Sequence, residues 1–492
     1  MVCEAAKILY IMPFTAKSHY IGMKNLAVEL ARRGHDVYAI TPYREDVHPP
    51  TYHQLMVSNE SIWSKLFDVP PRIFDVIDVP FEQFQMLLYR SGFFVNELVF
   101  KSKDVQEFMK QNHKIDLVVT EIFFNEGLYM FAHKYQAPLV LVTTVGNSLK
   151  GNFYMGNPLQ LSILFHEYGK TMEPLSFLGR LYNLYMCTYD LLMLKFWYLP
   201  RQQEYALQYL EDLPEPVPSL EEITSNAAIV LLNSHFSLDS SAAYLPNMIE
   251  VGGLHIKETN DTLPEDLQKV LDNAKDSVVF LSLGSNVQVS EMDQDKLDAF
   301  LKVFGELKQT VLMKWEGEAI PNIPKNIVLK KWFPQKAVVE HPNVKLFIGH
   351  GGLLGLQETV IAGVPILGIP VFGDQYLNVI DTVRNGNGEL LSYKEINEDI
   401  LRDKINRMLN DKSYIETAKK LASRFKDRPM KPLETAVWWT EYVIRHKGAE
   451  FMKPPKMSYI TYQNLDIYFF LISTFGLIVY VILKVVNIIK SA

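Results

Sequence analysis

Short, nearly continuous apolar runs alternate with amphipathic segments along most of the 492-residue chain. The run at 7–12 precedes a segment at 20–34 whose apolar residues recur at three- and four-residue spacing, which predicts a strand followed by a helix. Strands of this kind, separated by helices, are typical of parallel sheets that are covered on both faces. Further runs predict strands at 35–41, 116–120, 138–143, 228–233, 277–283, 310–315, 326–331, 344–349 and 365–370.

The predicted strands form two series that divide near residue 255. The fold class is therefore α/β, with two doubly wound, Rossmann-like domains facing a cleft: an N-terminal domain at 1–255 and a C-terminal domain at 256–430. Residues 431–464 are predicted to form a juxtamembrane linker and a helix, at 434–446, whose apolar face must pack on another element; the family resemblance described below implies that this helix returns across the domains. In such sheets ligands bind outside the carboxyl ends of the strands, so the site residues are expected in the loops there.

The C-terminal segment is the most apolar part of the chain. Residues 467–483, between Asp466 and Lys484, contain no charged side chain. About 17–25 apolar residues suit a helix that spans a bilayer. A buried C-terminal helix is the alternative, but such helices usually carry a polar stripe, and none is present. We predict a transmembrane helix at 465–485 and a short tail at 486–492.

Charge and composition limit the function classes. The chain has 49 basic and 56 acidic residues and a formal charge of -7, so it lacks the basic excess that binds nucleic acid through counterion release. Cys3 and Cys187 cannot form a disulfide framework. No intact secretory signal is predicted at the N-terminus: the signal has been removed, or the chain is anchored only by its tail. Sequons at Asn59 and Asn260 suit a lumenal side.

Two aromatic-rich regions, 60–100 and 150–210, interrupt the alternation of strands and helices. They are rich in Phe, Tyr, Leu and Met. Three interpretations are open: packing helices, the wall of an apolar substrate pocket, or a surface that dips into lipid.

The segment 332–375 carries the densest set of candidate binding residues. Its strand at 344–349 ends in His350, Gly351 and Gly352, and a helical run follows. The glycines allow close backbone approach, and the helix N-terminus offers free N–H groups and a positive dipole end, so the turn predicts a phosphate site. His350 adds a hydrogen bond or a positive charge there.

The order of motifs in this segment is WFPQ, HP, HGG, QE, GVP and DQ. It closely resembles the nucleotide-binding signature of the UDP-glycosyltransferases (glycosyltransferase family 1), inverting enzymes with the two-domain GT-B fold. Weaker similarity includes FLSLGSN at 280–286 and the apolar tail. The tail points to the animal membrane-bound branch, and the sequence as a whole resembles invertebrate members of the family more than mammalian ones. The resemblance implies a UDP-sugar donor, and an endoplasmic reticulum membrane location with the catalytic part lumenal.

The resemblance also implies individual roles in donor binding. The uracil would stack on Trp332, a contact worth about 1–3 kcal/mol, while Gln335 would bind the uridine and Glu358 the ribose. The diphosphate would be bound by Ser285, His350, Gly351 and Gly352, and the sugar by Asp374 and Gln375. The family asparagine after HGG is Leu354 here.

His19 is the implied catalytic base. It follows the first strand, in a loop just before a helix, and family members keep their base in this loop. Such a base takes the proton from the acceptor hydroxyl and contributes about 10²–10⁴-fold. The family pairs it with an aspartate; here Glu121 ends the corresponding strand and keeps the charge with one extra methylene. Asp116, at the start of that strand, is the second choice.

These features predict an enzyme that transfers a sugar, glucose in preference to glucuronic acid, to a hydroxyl of a small lipophilic acceptor. Asp293 and Asp295 resemble a metal-binding DxD motif but suit an acidic helix start, so no metal and no cofactor is expected. The alternatives are UDP-glucuronic acid as donor, a non-catalytic membrane-tethered binder of apolar ligands, and a nicotinamide-dependent oxidoreductase. The sequence predicts no oligomeric state.

Overall fold

Two parallel sheets organise the chain, and they confirm the predicted fold class. The computed structural model describes residues 4–62, 65, 72–238, 242–256, 262–455 and 457–491, so Cys3 and Asn260 lie outside the described residues. The strands are β1 (Lys7–Ile11), β2 (Asp36–Thr41), β3 (Tyr52–Met56), β4 (Leu117–Glu121), β5 (Leu139–Val142), β6 (Ile229–Leu232), β7 (Met248–Glu250), β8 (Val278–Ser282), β9 (Thr310–Lys314), β10 (Ile327–Lys330), β11 (Val344–Gly349), β12 (Ile366–Gly368) and β13 (Gly388–Leu390).

The first sheet has the order β3-β2-β1-β4-β5-β6-β7, and the second has the order β10-β9-β8-β11-β12-β13. Each sheet reverses its strand order beside its first strand, β1 or β8. At such a switch point the loops leave the sheet in opposite directions and open a crevice at the carboxyl ends. The central strands are buried on both faces, as their continuous apolar sequences predict.

Each strand predicted from an apolar run is present, and three further strands were missed: β3, β7 and β13. All three lie at the edge of a sheet. An edge strand is covered on fewer sides, so it can carry polar residues that interrupt an apolar run, although the edge strand β10 keeps such a run. In β3, for example, Tyr52 is buried but His53 is exposed.

The helices alternate with the strands. Shorter helical turns lie at Ile73–Asp78, Glu126–Tyr129, Leu194–Tyr198, Val289–Glu291, Tyr393–Glu395 and Glu450–Met452. The helices are α1 (Lys17–Arg32), α2 (Phe81–Phe100), α3 (Lys103–Met109), α4 (Met130–Lys134), α5 (Leu149–Tyr154), α6 (Phe177–Met193), α7 (Leu199–Leu207), α8 (Leu220–Ser225), α9 (Glu265–Asp272), α10 (Gln294–Glu306), α11 (Gln335–Val339), α12 (Leu353–Ala362), α13 (Gln375–Asn385), α14 (Glu398–Asn410), α15 (Lys412–Lys426), α16 (Pro432–Arg445), α17 (Tyr459–Tyr462) and α18 (Leu465–Ser491).

Helix α16 is the helix predicted at 434–446, and it packs on the first sheet. Ala436 and Val437 belong to the same buried cluster as Leu26 and Leu30 of α1. Its Glu441 carboxylate lies 3.7 Å from the His35 imidazole, next to β2. The chain that has completed the second sheet therefore returns to the first.

Buried polar groups also connect the two halves of the compact structure, that is, the part that carries the first sheet and the part that carries the second. The Asn25 amide of α1 donates to the carbonyl oxygens of Leu254 (3.2 Å) and His255 (2.9 Å). The Gln357 side chain of α12 accepts from the Gly253 amide (3.1 Å) and donates to the Asn233 carbonyl (3.2 Å). Since buried amides destabilise the fold when they lack partners, these bonds restrict how the sheets move relative to each other.

The chain divides into a compact unit that ends at Met452 and contains both sheets, and a C-terminal unit that begins at Lys453. Within the C-terminal unit, α18 is long and apolar enough to cross a membrane. It begins at the predicted residue but continues to Ser491, so the predicted short tail is helical as far as that residue. The domain boundaries at 255 and 430 remain predictions.

Buried histidines near the junction of the halves make stability depend on pH. Burial lowers the pKa of both His235 and His255 to about 4, and the positive charge of Arg428 adds to the effect at His235. Below pH 6.5 the two histidines become protonated in the unfolded chain, whereas they stay neutral in the folded chain. Stability is therefore lost as the pH falls from about 6.5 towards about 4.

We predict that the free energy of unfolding falls between about pH 7 and about pH 5, by up to about 2 kcal/mol per histidine. Chemical denaturation of the detergent-solubilised chain at both pH values measures it. The variant His235→Asn should show a smaller difference between them, and the exposed His53→Asn serves as control. An unchanged pH dependence in His235→Asn would contradict the assignment.

Candidate active site

A histidine, a glutamate and a threonine meet at the carboxyl ends of β1, β4 and β5. Glu121 ends β4 and is 1% exposed. The His19 Nδ1 atom lies 2.5 Å from Glu121 Oε1. The Thr144 hydroxyl donates to the same Glu121 oxygen and lies 3.0 Å from His19 Nδ1. The Glu121 carboxylate accepts a hydrogen bond from Nδ1–H, which leaves Nε2 as the basic nitrogen of His19.

His19 occupies the first turn of α1, since that helix begins at Lys17 and not after the histidine as predicted. A helical backbone fixes the side chain more firmly than a loop would. Phe14 and Phe123 pack on the imidazole, with ring centroids 4.6 Å and 4.3 Å away. The side chain remains 13% exposed, so the ring is held in one orientation while its edge can still reach a ligand.

Asp116, the second candidate partner, lies at the other end of the strand. Its carboxylate accepts from the Lys7 backbone amide at 2.9 Å. Five residues of extended chain separate it from Glu121, about 16 Å at the usual rise per residue. The structure does not bring Asp116 and His19 together. Thr144 is the residue that the sequence analysis missed; it follows the apolar run of β5, which is where the carboxyl-end rule directs attention.

In the second sheet, Gly284 and Gly352 make room for His350, and Gly351 makes room for Val379 and Gln375. Gly284 and Gly351 have positive φ values of 86° and 81°. A Cβ atom at Gly284 would lie 2.5 Å from the His350 ring, and one at Gly352 would also clash with it. These glycines therefore admit the imidazole between the loop after β8 and the N-terminus of α12. Ser285 follows Gly284 in the same loop.

His350 is neutral near pH 7. Burial, together with the positive charge of Lys314, lowers the pKa of His350 to about 4. A neutral ring can make a hydrogen bond but supplies no positive charge, so the hydrogen bond is the role that stays a prediction for His350. A positive charge lies nearby on Lys314, at the end of β9, which donates to the Gly284 carbonyl at 2.7 Å and pairs with Glu316 at 2.6 Å. The sequence analysis missed this lysine.

Trp332 presents an exposed indole beside these groups. It is 56% exposed, although large aromatic side chains are usually buried. The Nζ atoms of Lys17 and Lys314 lie 4.9 Å and 5.8 Å from its ring. Lys17 belongs to α1, two residues before His19. The indole therefore lies where the two halves of the compact unit approach each other, with a face that a planar ligand can stack on.

Gln335 and Glu358 are in contact. The Gln335 amide donates to Glu358 Oε2 at 2.7 Å. On the other side, His255 Nε2 donates to the Leu354 carbonyl at 3.2 Å and lies 3.9 Å from Glu358 Oε1. The structure thus brings Glu358 together with Gln335 and with His255, which the sequence analysis did not single out.

Asp374 connects the two halves electrostatically. Burial raises its pKa, while a hydrogen bond from Asn378 (2.9 Å) and the charge of His19 act in the opposite direction. The second interaction shows that Asp374 lies within electrostatic range of His19. Gln375, 4% exposed, accepts from the Val371 amide at 2.8 Å and the Phe372 amide at 3.1 Å, which fixes the loop that carries Asp374.

A cavity of about 220 Å³ opens beside this loop. Phe372 and Gly373, directly before Asp374, form one wall, and the aromatic-rich region forms the rest. Lys170 lies in the cavity wall and donates to the Ile77 carbonyl at 2.8 Å. The remaining lining residues are Val76, Asp78, Val79, Pro80, Phe81, Phe84, Tyr168 and Tyr182.

The acidic pair at the start of α10 faces solvent. Asp293 pairs with Arg72 at 2.8 Å, and Asp295 has a side chain that is 71% exposed. Among the residues that the structure describes, no group of three or more His, Cys, Asp or Glu side chains is arranged to hold a metal ion.

Comparisons with known proteins identify the family and the fold of the chain. The family model described as UDP-glucoronosyl and UDP-glucosyl transferase matches residues 6–491. The chain is 37% identical to UDP-glycosyltransferase UGT5 of Dactylopius coccus, over 96% of its own length and 90% of the relative. It is 34% identical to UDP-glucosyltransferase 2 of the same insect (96% and 91%), and 28% to human UDP-glucuronosyltransferase 1A6 (95% and 88%).

Solved structures share the fold at low identity. The kitacinnamycin glycotransferase matches with a TM-score of 0.60 and 14% identity, over 90% of this chain and all of that one. UDP-glucose:anthocyanidin 3-O-glucosyltransferase in complex with UDP matches with a TM-score of 0.58 and 15% identity, over 89% and 99%. The GT-B glycosyltransferase architecture is thereby confirmed.

The packing of Gly284 against His350 gives a test of the second-sheet site. We predict that Gly284→Ala displaces the imidazole and weakens UDP binding about tenfold, the loss of roughly one good hydrogen bond. Isothermal titration of UDP measures the affinity. Gly34→Ala is the matched control, because Gly34 also has a positive φ (95°) but nothing within 4 Å of its would-be Cβ. Equal affinity in the two variants would contradict the role of this packing.

Proposed function

The chain belongs to the family of UDP-glucuronosyl and UDP-glucosyl transferases and is a glycosyltransferase, and we propose that it transfers glucose from UDP-glucose to a hydroxyl group of a small lipophilic acceptor, with inversion at the anomeric carbon. The observation that carries this proposal is the 2.5 Å contact between His19 Nδ1 and the buried Glu121. It provides an oriented base at the edge of the cleft.

The preference for glucose is supported by the relatives. The insect protein named UDP-glucosyltransferase 2 is 34% identical to this chain, whereas the human protein named UDP-glucuronosyltransferase 1A6 is 28% identical. UDP-glucuronic acid is the second candidate donor. Asp374 also favours a neutral sugar, because its carboxylate accepts hydrogen bonds from hydroxyl groups but repels a second carboxylate when both are charged.

In the proposed step, His19 Nε2 takes the proton of the acceptor hydroxyl while that oxygen attacks the anomeric carbon. The bond between the anomeric carbon and the phosphate oxygen breaks, and its electron pair leaves with UDP. Glu121 holds Nδ1–H and stabilises the imidazolium, as a buried carboxylate does for other histidine bases. Thr144 fixes the carboxylate in turn.

The departing diphosphate would lie against the N-terminus of α12. The backbone amides there, the Ser285 hydroxyl and the neutral His350 supply hydrogen bonds. Lys314 supplies the positive charge. In this proposal Trp332 stacks on the uracil, Gln335 binds the uridine, Glu358 binds the ribose hydroxyls, and Asp374 and Gln375 bind the sugar, with no metal required.

The 220 Å³ cavity is the proposed acceptor pocket. Its walls are mostly aromatic and aliphatic, as in pockets that take apolar small molecules. It adjoins the loop that carries Asp374, so an acceptor in it would approach the donor sugar. The acceptor hydroxyl would have to point towards His19.

We propose further that the chain associates with the membrane through its apolar C-terminal helix, which is long and apolar enough to cross a bilayer, and that this is the endoplasmic reticulum membrane with the catalytic part lumenal. The sequon residues Asn59, Glu60 and Ser61 are exposed. An exposed sequon is compatible with the lumenal side, where glycans are added.

We predict that the purified full chain releases UDP and forms a glucoside from UDP-glucose and simple phenols, and that His19→Ala lowers kcat by at least about 10²-fold while UDP binding is retained. Glu121→Gln should lose nearly as much, because the imidazolium loses its counter-charge. Mass spectrometry of the product and titration of UDP measure both effects.

Asp116→Asn is the matched control for this prediction, since it removes a carboxylate from the other end of the same strand; kcat should remain close to that of the parent. Full activity in His19→Ala would remove it as the base. UDP binding without any product from UDP-glucose or UDP-glucuronic acid would favour the non-catalytic binder.

The pocket assignment gives a prediction on acceptor size. Val79→Phe should fill part of the cavity and lower kcat/KM for 1-naphthol about tenfold, with little change for phenol and none in the KM for UDP-glucose. Val383→Phe, which enlarges an exposed surface side chain, is the control. An equal loss for both acceptors, or no loss for either, would place the acceptor elsewhere.

A further inference from the structure

Three buried side-chain amides connect the half that carries His19 to the half that carries Glu358. They belong to Asn25 of α1, to Asn233, which directly follows β6, and to Gln357 of α12. Their exposed fractions are 7%, 4% and 0%. We call these three side chains the amide network. The proposed reaction assigns no role to any of them.

Asn233 connects the base site to Gln357. Its side-chain NH2 group donates to the Thr144 carbonyl at 2.9 Å, and its backbone amide donates to the Thr143 hydroxyl at 3.0 Å. The Thr144 hydroxyl in turn donates to Glu121 Oε1. Asn233 also accepts from the Gln357 amide, at its backbone carbonyl (3.2 Å) and at its side-chain oxygen (3.1 Å). A continuous path of hydrogen bonds and short covalent links therefore joins Glu121 to α12.

Backbone groups that can act in one way only fix the orientation of both amides. The Gly253 N–H can only donate, and it donates to Gln357 Oε1 at 3.1 Å. The carbonyls of Thr144 and Asn233 can only accept, so each faces an NH2 group. Exchange of oxygen and nitrogen in either side chain would oppose like groups in a buried site, where an unpaired polar group destabilises the fold. The amide network is therefore a set of directional contacts.

A second path joins the helix that carries His19 to the same part of α12. Asn25 lies in α1 about two turns after His19, and its amide donates to the His255 carbonyl at 2.9 Å. The His255 imidazole lies 3.9 Å from Glu358 Oε1. Both paths therefore end at Glu358 or at its neighbour Gln357. Glu358 is the residue that is proposed to bind the ribose of the donor.

The two paths determine how far the base lies from the donor. In the proposed reaction the second half binds the donor, while His19 of the first half takes the proton of the acceptor. A displacement of about 1 Å between reacting groups can lower a rate by about 10²-fold. Apolar contacts are non-directional and allow small displacements, whereas a fully paired buried polar network holds one arrangement. The amide network is suited to hold the two halves in the arrangement that the transfer needs.

We propose that Asn233 and Gln357 are positioning residues of the glycosyl transfer. They act through other residues: together with Asn25 they hold the His19 imidazole at a fixed distance from the bound donor. The connection between the halves stands on the hydrogen bonds of the amide network. Only its consequence for the rate rests on the proposed function.

Kinetics of Gln357→Met test the consequence for the rate, because methionine is also unbranched but makes none of these hydrogen bonds. With UDP-glucose and phenol, kcat should fall about 10-fold to about 10²-fold. The Kd of UDP, measured by isothermal titration, should stay unchanged, since the proposed nucleotide site lies in the second half alone. Asn233→Leu should give the same pattern. The double variant should lose little more than the weaker single variant, because the two side chains act as a unit.

Asn326→Leu is the matched control. Like the Gln357 amide, the Asn326 amide makes three hydrogen bonds, but all three join parts of the second half: the acceptors are the carbonyls of Phe304 (2.8 Å), Leu307 (3.2 Å) and Gln309 (3.0 Å). This variant should lower the temperature of thermal unfolding and leave kcat unchanged. An equal loss of kcat in Asn326→Leu and Gln357→Met would overturn the proposal, because general destabilisation would then explain both. A fall in UDP affinity parallel to kcat would also overturn it, since the effect would then lie in the nucleotide site.

A distance measurement tests the connection between the halves without any enzyme activity. Lys103→Cys in α3 and Asp399→Cys in α14 replace side chains that are 86% and 96% exposed. Both are labelled with spin probes in a Cys3→Ser background. The remaining Cys187 is buried, and burial raises the pKa of its thiol, so it reacts poorly. Pulsed electron spin resonance of the full chain with UDP then gives the distribution of distances between the probes.

The distribution should broaden when Gln357→Met is added and stay narrow when Asn326→Leu is added. An unchanged distribution in Gln357→Met would overturn the proposal, because the amide network would then not hold the two halves. A broadened distribution with an unchanged kcat would overturn the consequence for the rate. If the parent chain makes no product from UDP-glucose or UDP-glucuronic acid, the proposed function fails and this consequence fails with it, while the distance distribution still decides whether the network holds the halves.

Discussion

The buried carboxylate of Glu121 is the constraint on which the active site depends. A carboxylate that is 1% exposed destabilises the fold by several kcal/mol unless it is paired and hydrogen-bonded. Two elements from elsewhere in the chain meet this requirement: the first turn of α1 brings His19, and the segment after β5 brings Thr144. The order β1-β4-β5 in the first sheet makes these elements neighbours. The same pairing that stabilises the carboxylate orients the imidazole.

In the proposed donor site, the second sheet would hold a phosphate without a cluster of basic residues. Glycines at 284, 351 and 352 bring two backbone segments and the His350 ring close together, and the ring stays neutral because it is buried beside Lys314. One lysine and a helix end then provide the positive potential. In the proposed donor site, this arrangement would allow a chain with a formal charge of -7 to bind a diphosphate.

Long apolar strands and the spacing of the motifs were readable from the sequence because each depends on local residue order. Every central strand is buried on both faces and so forms a continuous apolar run. The edge strands β3, β7 and β13 were missed because partial exposure removes that signal. Helix α18 was predicted with its start at residue 465, since a bilayer span needs only local composition. Its end at Ser491 was missed, because Lys484 interrupts the apolar run without ending the helix.

The sequence by itself determined the fold class, the family and the set of candidate residues, because these depend on patterns along the chain. Only the tertiary structure decided which residues meet. It placed Glu121 beside His19 and Asp116 at the far end of β4, and it added Thr144 and Lys314, whose neighbours lie 23 and 30 positions away along the chain. It also separated the buried face of α6 from its exposed one and placed Tyr182 of this helix in the cavity wall. Contacts of this kind arise from strand order and packing, and no stretch of sequence encodes them locally.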